Sequence, residues 1–276
     1  MFSITSINSS MNKIPAPIVL IPVSATGLST YYTFDTGTIV SNNVPNIASG
    51  TAVNDAIAVA VGGNYPTIST SSYVVGNGSL DFNVTSTSSY GYIKKNTFTP
   101  TTGGLTFVCW LNFSNYNNTS TRLFDFANGA PNGNIFYAPY VGFGIFDGAS
   151  ERIYVGGPSF SAAVMKQDGT DNNKWIHFAW TLTYAASTSN TSTTKIYKNI
   201  LGSSFNSTPF YTNNACYYPT TSATRTLNYI GMSNWGGASD RPVDGNIDDF
   251  RIYDRVLSAE EIQSLFYNRT SVRAIP

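Results

Sequence analysis

The sequence predicts an all-β fold, a two-sheet antiparallel sandwich or jelly roll with one short C-terminal helix. Two observations carry this. Short runs rich in Tyr, Phe, Val, Ile and Thr recur along the whole chain between clusters of Gly, Asn, Ser and Pro, the punctuation of strands and turns. Only one late segment has helical spacing together with a helix-start signal.

In chain order, strands are expected at 30–35 (TYYTFD), 78–84 (GSLDFNV), 91–95 (GYIKK), 105–113 (LTFVCWLNF), 121–127 (TRLFDFA) and 140–147 (YVGFGIFD). Further strands are expected at 152–157 (RIYVGG), 174–184 (KWIHFAWTLTY), 194–199 (TKIYKN), 226–232 (TLNYIGM) and 246–254 (NIDDFRIYD). In the last of these, Phe250 and Ile252 fall on one face and Arg251 and Tyr253 on the other, the period of a half-buried strand. Asp248 shares the parity of Phe250 and Ile252, which directs it to the interior, where a carboxylate needs donors or a cation. Ser258 and Glu261 form a capping box with Glu260 in the first turn, and Ile262, Leu265 and Phe266 repeat at helical spacing.

The chain has 276 residues, a formal net charge of +0, 42% hydrophobic and only 11% charged residues. Length and apolar content suffice for one large β domain, expected at 30–276, preceded by an extended arm at 1–29 that contains the proline-interrupted IPAPIVLIPV (14–23). The charge balance gives no footprint for nucleic acid, and the apolar stretches fall short of the roughly 20 residues of a membrane span. A basic leader followed by an uninterrupted apolar run is missing at the N-terminus, which argues against ordinary secretion. Cys109 lies in a strand run and Cys216 in a loop-like one, and their spacing gives no sign of a bridge; two inert thiols are expected.

GNIDDFRIYDRVLSAEEIQSLF (245–266) resembles the final strand and helix of laminin-G-like domains, the concanavalin A-like lectin/glucanase jelly rolls. The resemblance extends to YYTFD (31–35), GNGSLDF (76–82), LTFVCWLNF, KWIHFAWTLTY and LNYIGM (227–232), and so spans about residues 30–267. Residues 200–225 are long for a hairpin connection, and residues 1–29 have no counterpart in the family core. The resemblance implies two antiparallel sheets, one of them concave, with binding loops at the rim. It implies sugar binding, adhesion or glycoside hydrolysis, among which the fold alone does not choose.

Hydrolysis of the usual kind needs two carboxyl groups flanking one bond. Glu260 and Glu261 are explained by capping, Glu151 sits in a turn-like DGASER, and the glucanase pattern of glutamates spaced along one strand does not occur. No catalytic residue is assigned. The single histidine, His177, is read as a packing residue of its strand, and GGNYP and NWGGAS lack the strand-to-helix context of a phosphate loop.

The resemblance also implies a structural calcium near the ends of the first and last strands, with Asp35, Asp248 and the Gly78 carbonyl as candidate ligands. An alternative stands beside it, in which Asp248 accepts backbone N–H groups and Asp249 pairs with Arg251 or Arg255 at the surface. For ligands, Trp235, Asp240 and Arg241 in MSNWGGASDRPVDG (232–245) combine a stacking ring with polar partners for sugar hydroxyls. Asn134, Tyr137 and Tyr140 form a second candidate cluster. Trp110, Trp175 and Trp180 lie in strand runs and are read as core. The low charge and the abundance of Asn, Ser, Thr and Tyr suit a protein of a virus particle or another external surface, with an extracellular protein as the alternative setting. The expected partners are a carbohydrate or glycoprotein and, through the arm, neighbouring subunits.

Overall fold

Alternating apolar residues on both sides of a shared core build two eight-stranded antiparallel sheets. The computed structural model describes residues 21, 23–48, 53–86, 88–113, 122–128, 135–141, 150–156, 160–166, 173–186, 191–234 and 243–268. The strands in chain order are β1 (Leu28–Tyr32), β2 (Asn43–Asn46), β3 (Val53–Val61), β4 (Thr67–Ser69), β5 (Ser79–Asp81), β6 (Tyr90–Lys95), β7 (Leu105–Phe113) and β8 (Phe124–Ala127). They continue with β9 (Ile135–Val141), β10 (Ser150–Gly156), β11 (Phe160–Lys166), β12 (Ile176–Leu182), β13 (Ser192–Ile200), β14 (Tyr211–Cys216), β15 (Leu227–Ile230) and β16 (Gly245–Tyr253), before helix α1 (Ala259–Tyr267). The first sheet runs β14-β13-β12-β7-β16-β5-β4, with β1 also on β16, and the second runs β11-β10-β9-β8-β15-β6-β3-β2. This is the expected jelly-roll sandwich.

Between the sheets, Phe107, Cys109, Leu111 and Phe113 of β7 meet Phe124 and Phe126 of β8. Phe107 stacks on Phe124 with centroids 4.7 Å apart and on Trp180 at 5.3 Å. The opposite face of β7 is covered as well. There Val108 packs with Tyr253, Leu257, Ile262 and Leu265, and Trp110 with Val75, Trp175 and Phe266, so α1 lies over the outer face of the first sheet. Burial on both faces explains why LTFVCWLNF reads as an almost continuous apolar run. Trp110, Trp175 and Trp180 are all buried, as expected. The capping box forms as read: the Ser258 hydroxyl accepts from the Glu261 N–H and the Glu261 carboxylate from the Ser258 N–H.

Several elements differ from expectation. β2, β3, β4, β11 and β14 were not expected; β3 (VNDAIAVAV) opens on Asn and Asp and interleaves its Val and Ile with Ala, and β14 (YTNNAC) is polar, and Asn, Asp and Ala are depleted in strands. β14 accounts for the length of the 200–225 segment. β9 begins at Ile135, ahead of the run expected at 140–147, of which residues 142–147 lie outside the described residues. Of the arm expected at 1–29, residues 1–20 and 22 lie outside the described residues. Its last described part is tied to the body: the Ile21 N–H donates to Ser264 Oγ at 3.1 Å, and Arg255 donates to the Thr26 and Ser24 carbonyls. Both cysteines are free and buried, and burial raises both thiols, Cys216 to about 11.

Replacement of Phe107 by Ala removes a ring held between two others, and is expected to cost about 3–5 kcal/mol in chemical denaturation. Val53→Ala, at a side chain 51% exposed, is expected to stay within about 0.5 kcal/mol of the parent.

Candidate functional site

β16 changes neighbour along its length. Asn246 and Ile247 pair with Asp81 and Leu80 of β5, whereas Phe250 to Tyr253 pair with β1. At the change the register with β7 jumps from Asp248 opposite Trp110 to Arg251 opposite Val108, one residue more on β16 than on β7, and Asp249 adopts φ 54°. This is a β-bulge. It corrects the parity expected for Asp248, because a residue directly opposite Trp110 shares the face that carries α1. Ile247, Phe250 and Ile252 face the second sheet; Asp248 does not.

Asp248 is nevertheless fully buried. Its Oδ2 accepts the Val74 and Val75 N–H groups, both at 2.8 Å, and its Oδ1 has no hydrogen-bond partner among the described residues. Burial, and then the Asp249 charge, push its carboxyl up to about 8 against the pull of the two N–H groups, with a further upward push from the Asp35 charge. Asp249 pairs with Arg251 at 2.8 Å, but both side chains are buried, so the pair is not the surface one expected. Arg251 also donates to the Tyr31 hydroxyl at 3.0 Å and lies 4.2 Å over the Tyr31 ring.

Asp248 begins a polar row. The registers place Trp110 opposite Asp248, His177 opposite Trp110 and Asn199 opposite His177, one residue from each of β16, β7, β12 and β13. Each carries a buried polar atom unpartnered among the described residues: Oδ1, Nε1, Nδ1 and Nδ2 respectively. The His177 ring lies 4.9 Å from Trp110 and 5.7 Å from Phe266, and burial lowers its pKa to about 3. It is a neutral packing histidine, as read from the sequence.

For a cation, the orphan Oδ1 of Asp248 is a suitable hard donor. Asp35 accepts the Asn77 N–H at 2.6 Å and fits under Gly76, where a Cβ would come within 1.9 Å of its carboxylate oxygen. Gly78 adjoins the same turn, its missing Cβ 3.0 Å from the Phe34 carbonyl oxygen. No group of three or more His, Cys, Asp or Glu around a metal occurs among the described residues. Carbonyl oxygens such as that of Gly78 would have to complete the shell around Asp35 and Asp248.

Of the residues expected to bind ligand, Trp235, Asp240, Arg241 and Asn134 lie outside the described residues. Tyr137 and Tyr140 belong to β9, with side chains likewise outside them. The backbone nevertheless attaches both clusters to neighbouring strands: β9 pairs with β8, β8 with β15, and β15 leads into the 232–245 segment. The base of that segment is fixed. The Asn234 N–H donates to Asp125 Oδ2 at 2.9 Å, its Nδ2 donates to the Asp125 and Leu227 carbonyls, and the Val243 N–H donates to the Gly231 carbonyl at 3.3 Å.

Beside this base, on the outer face of the second sheet, stand tyrosines that sequence reading did not single out. Tyr90, Tyr92 and Lys94 alternate with the inward Ile93 and Lys95 on β6, and Tyr229 of β15 pairs with Lys94. Tyr92 meets Tyr90 at 6.5 Å and Tyr229 edge-on at 5.4 Å. The signal was present in YGYIKK, where Tyr90, Tyr92 and Lys94 share one parity.

A family profile described as concanavalin A-like lectin/glucanases superfamily, of the Laminin G type, matches residues 85–263, more than half of the chain. The chain belongs to this superfamily. No curated protein matches it in sequence. Among solved structures, this concanavalin A-like chain is similar to domain 4 of AbnA, a GH43 extracellular arabinanase from Geobacillus stearothermophilus solved with arabinotriose. The TM-score is 0.58 at 16% identity, over 86% of this chain and 97% of that one. The botulinum neurotoxin type G receptor binding domain gives 0.54 at 13% identity, over 87% of this chain and 51% of that one. The botulinum serotype D ligand binding domain solved with N-acetylneuraminic acid gives 0.53 at 11%, over 88% and 51%. The chain thus spans about half of each toxin domain, and at these identities the likeness is one of fold.

The superfamily includes hydrolases, so the carboxylates matter. Glu261 is held by Arg255 through two hydrogen bonds, 2.7 and 2.9 Å, in addition to its cap, and Glu260 lies in the same first turn; Glu151 falls in β10, its side chain outside the described residues.

The Asp248 carboxyl makes a measurable mark on stability. Its folded-state pKa, about 8, lies above the ordinary 3.8, so folding takes up a proton between these values and stability falls as pH rises through that window. Denaturation followed from pH 4 to pH 8 in a chelator is expected to show this loss, by at most about 1.4 kcal/mol per pH unit. Asp248→Asn, which keeps an oxygen for the Val74 and Val75 N–H groups, is expected to flatten it.

Proposed function

We propose that this chain is a non-enzymatic carbohydrate-recognition module displayed on the surface of a virus particle or another external assembly. The observation that carries the reading is the division of the two outer sheet faces. One is sealed by α1, while the other presents half-buried tyrosines next to the base of the 232–245 segment, the arrangement sugar rings need for stacking. Sugar complexes of proteins with the same fold support it by analogy. A binding rather than hydrolytic role is favoured by the employment of Glu260 and Glu261 at the helix start and by the neutral, buried state of His177. The external setting draws on the extracellular and receptor-binding character of those neighbours, and the virion on the low charge and the Asn, Ser and Thr content. Glycan-array binding by the purified chain is the test. Specific signals are expected, and Trp235→Ala is expected to abolish them while leaving the melting temperature unchanged; no signal from a well-folded chain refutes the reading.

A structural calcium held by Asp35, Asp248 and the Gly78 carbonyl belongs to the same proposal, supported by the orphan oxygen of Asp248. Calcium is expected to raise the melting temperature over that in chelator, and Asp248→Asn to remove the difference. A melting temperature insensitive to chelator, with no calcium by elemental analysis, refutes it.

A purely structural role in an assembly is the second reading, favoured by a net charge of +0, which leaves little repulsion between copies. Truncation before Ile21 preserves the bonds from Ile21, Ser24, Thr26 and Gly27 to Ser264 of α1 and to Asp254 and Arg255 ahead of it. Under this reading it yields a folded monomer from an oligomeric parent, and an unchanged oligomeric state refutes it.

A further inference from the structure

We infer that the outer face of the second sheet binds a carboxylated sugar, with Tyr92 and Tyr229 as its platform and Lys94 as the partner of its carboxylate. The inference rests on the carbohydrate reading above and names the chemical class and the residues.

The starting point is the contrast between two adjacent lysines. Lys95 points inward and is satisfied: its ammonium pairs with Asp55 at 2.5 Å, and Asp55 also accepts from the Tyr32 hydroxyl at 2.8 Å. Lys94 points outward, half-exposed, in register with Tyr229 on one side and Ile57 on the other, and has no ion pair among the described residues. The carboxylate on the same face, Asp125 opposite Tyr229, does not serve it. Asp125 is fully buried, accepts the Asn234 N–H and lies 4.0 Å from the Arg122 guanidinium. Among the described residues, the accessible charge of this patch is therefore the single positive one of Lys94.

Around that charge, the patch has the parts that sugar recognition requires. Tyr92 and Tyr229 are half-buried with their rings at 82°, so one ring offers its face while the other presents its edge. Neither hydroxyl has a hydrogen-bond partner among the described residues, and burial raises both phenols above their ordinary pKa, which keeps them as neutral O–H donors and acceptors. Ile57, 42% exposed, and Val59 extend an apolar floor beside them. Sugar C–H faces stack on such rings and sugar hydroxyls pair with phenol hydroxyls. A neutral sugar laid here would cover an ammonium without compensating it, a cost that a ligand carboxylate removes. A sialic acid and a uronic acid both supply that group, so the shared feature is a carboxylate on a pyranose ring.

The test is calorimetric titration of the intact chain with four probes: lactose, sialyllactose, an oligogalactoside and the corresponding oligogalacturonate. At least one acidic member is expected to bind about tenfold or more tightly than its neutral counterpart, with a margin that shrinks as salt rises. The pair that shows the margin identifies the source of the carboxylate. Lys94→Met is expected to remove the margin, lowering the acidic affinity and raising the neutral one, because the uncompensated ammonium is gone. Tyr92→Ala and Tyr229→Ala are expected to weaken both forms about tenfold with unchanged melting temperatures; Tyr92→Phe, which keeps the packing and removes only the hydroxyl, gives a smaller loss and covers the case in which Tyr92→Ala fails to fold. Equal binding of acidic and neutral probes, or a margin that survives Lys94→Met, overturns the carboxylate assignment while the carbohydrate reading stands. Binding that Trp235→Ala abolishes but the tyrosine and lysine variants leave intact overturns this surface in favour of the 232–245 segment. Absence of binding to every probe and to a glycan array overturns the carbohydrate reading, and this inference with it.

Discussion

The structure depends on how β16 manages a change of neighbour in its middle. Its first residues belong to β5 and its last to β1, and between them stand Asp248 and Asp249. A strand flanked in this way leaves backbone groups unpaired at the switch. The bulge and the chain at Val74 and Val75 resolve it: the extra residue at Asp249 resets the register, and the two valine N–H groups find their acceptor in Asp248. The left-handed conformation of Asp249 costs energy that a glycine would not pay, but glycine would forfeit the carboxylate that pairs with Arg251. That pair in turn orders Tyr31, so the closing strand fixes the first one.

The same bulge decides what the outer faces can do. By turning Asp248, Arg251 and Tyr253 away from the inter-sheet core, it gives the first sheet a mixed outer face that cannot stay open to water without exposing Val108, Trp110 and Tyr253. Helix α1 covers them with Ile262, Leu265 and Phe266, and the capping box and the Arg255–Glu261 pair hold its start directly after β16. The buried polar row of Asp248, Trp110, His177 and Asn199 belongs to this covered layer, where burial keeps His177 neutral and opposes ionisation of Asp248. The described contacts of α1 are with the first sheet, so the helix leaves the outer face of the second sheet uncovered.

The sequence was legible where local and tertiary demands coincide. The capping box and the nine-residue run of β7 were placed correctly because burial on both faces, or a side-chain bond three residues away, writes itself into adjacent letters. β14 was illegible for the opposite reason: pairing with β13 supplies the strand character that its Asn and Ala do not, and in β3 the Asn, Asp and Ala residues mask the Val and Ile between them. Asp248 failed in a third way. Parity arguments assume an unbroken ladder, and a bulge shifts every residue beyond it to the other face, with only Asp249, a residue that tolerates left-handed backbone, as a clue. Its buried environment was legible; the face was not.

The candidate binding surface follows the same logic with the opposite outcome. On β6 the ladder is unbroken, so the alternation in YGYIKK translates directly into faces, with Tyr92 and Lys94 outward and Ile93 and Lys95 inward. A sequence reading that weighs aromatics only in loops passes over them, because an aromatic in a strand is ordinarily core. What distinguishes Tyr92 and Tyr229 is that no described element covers them and both stay half-exposed, because the helix is committed to the other sheet by the bulge in β16. Two lysines one residue apart thus acquire different chemistry, one neutralised by Asp55 within the sandwich, the other held outward beside two phenols with no ion pair among the described residues.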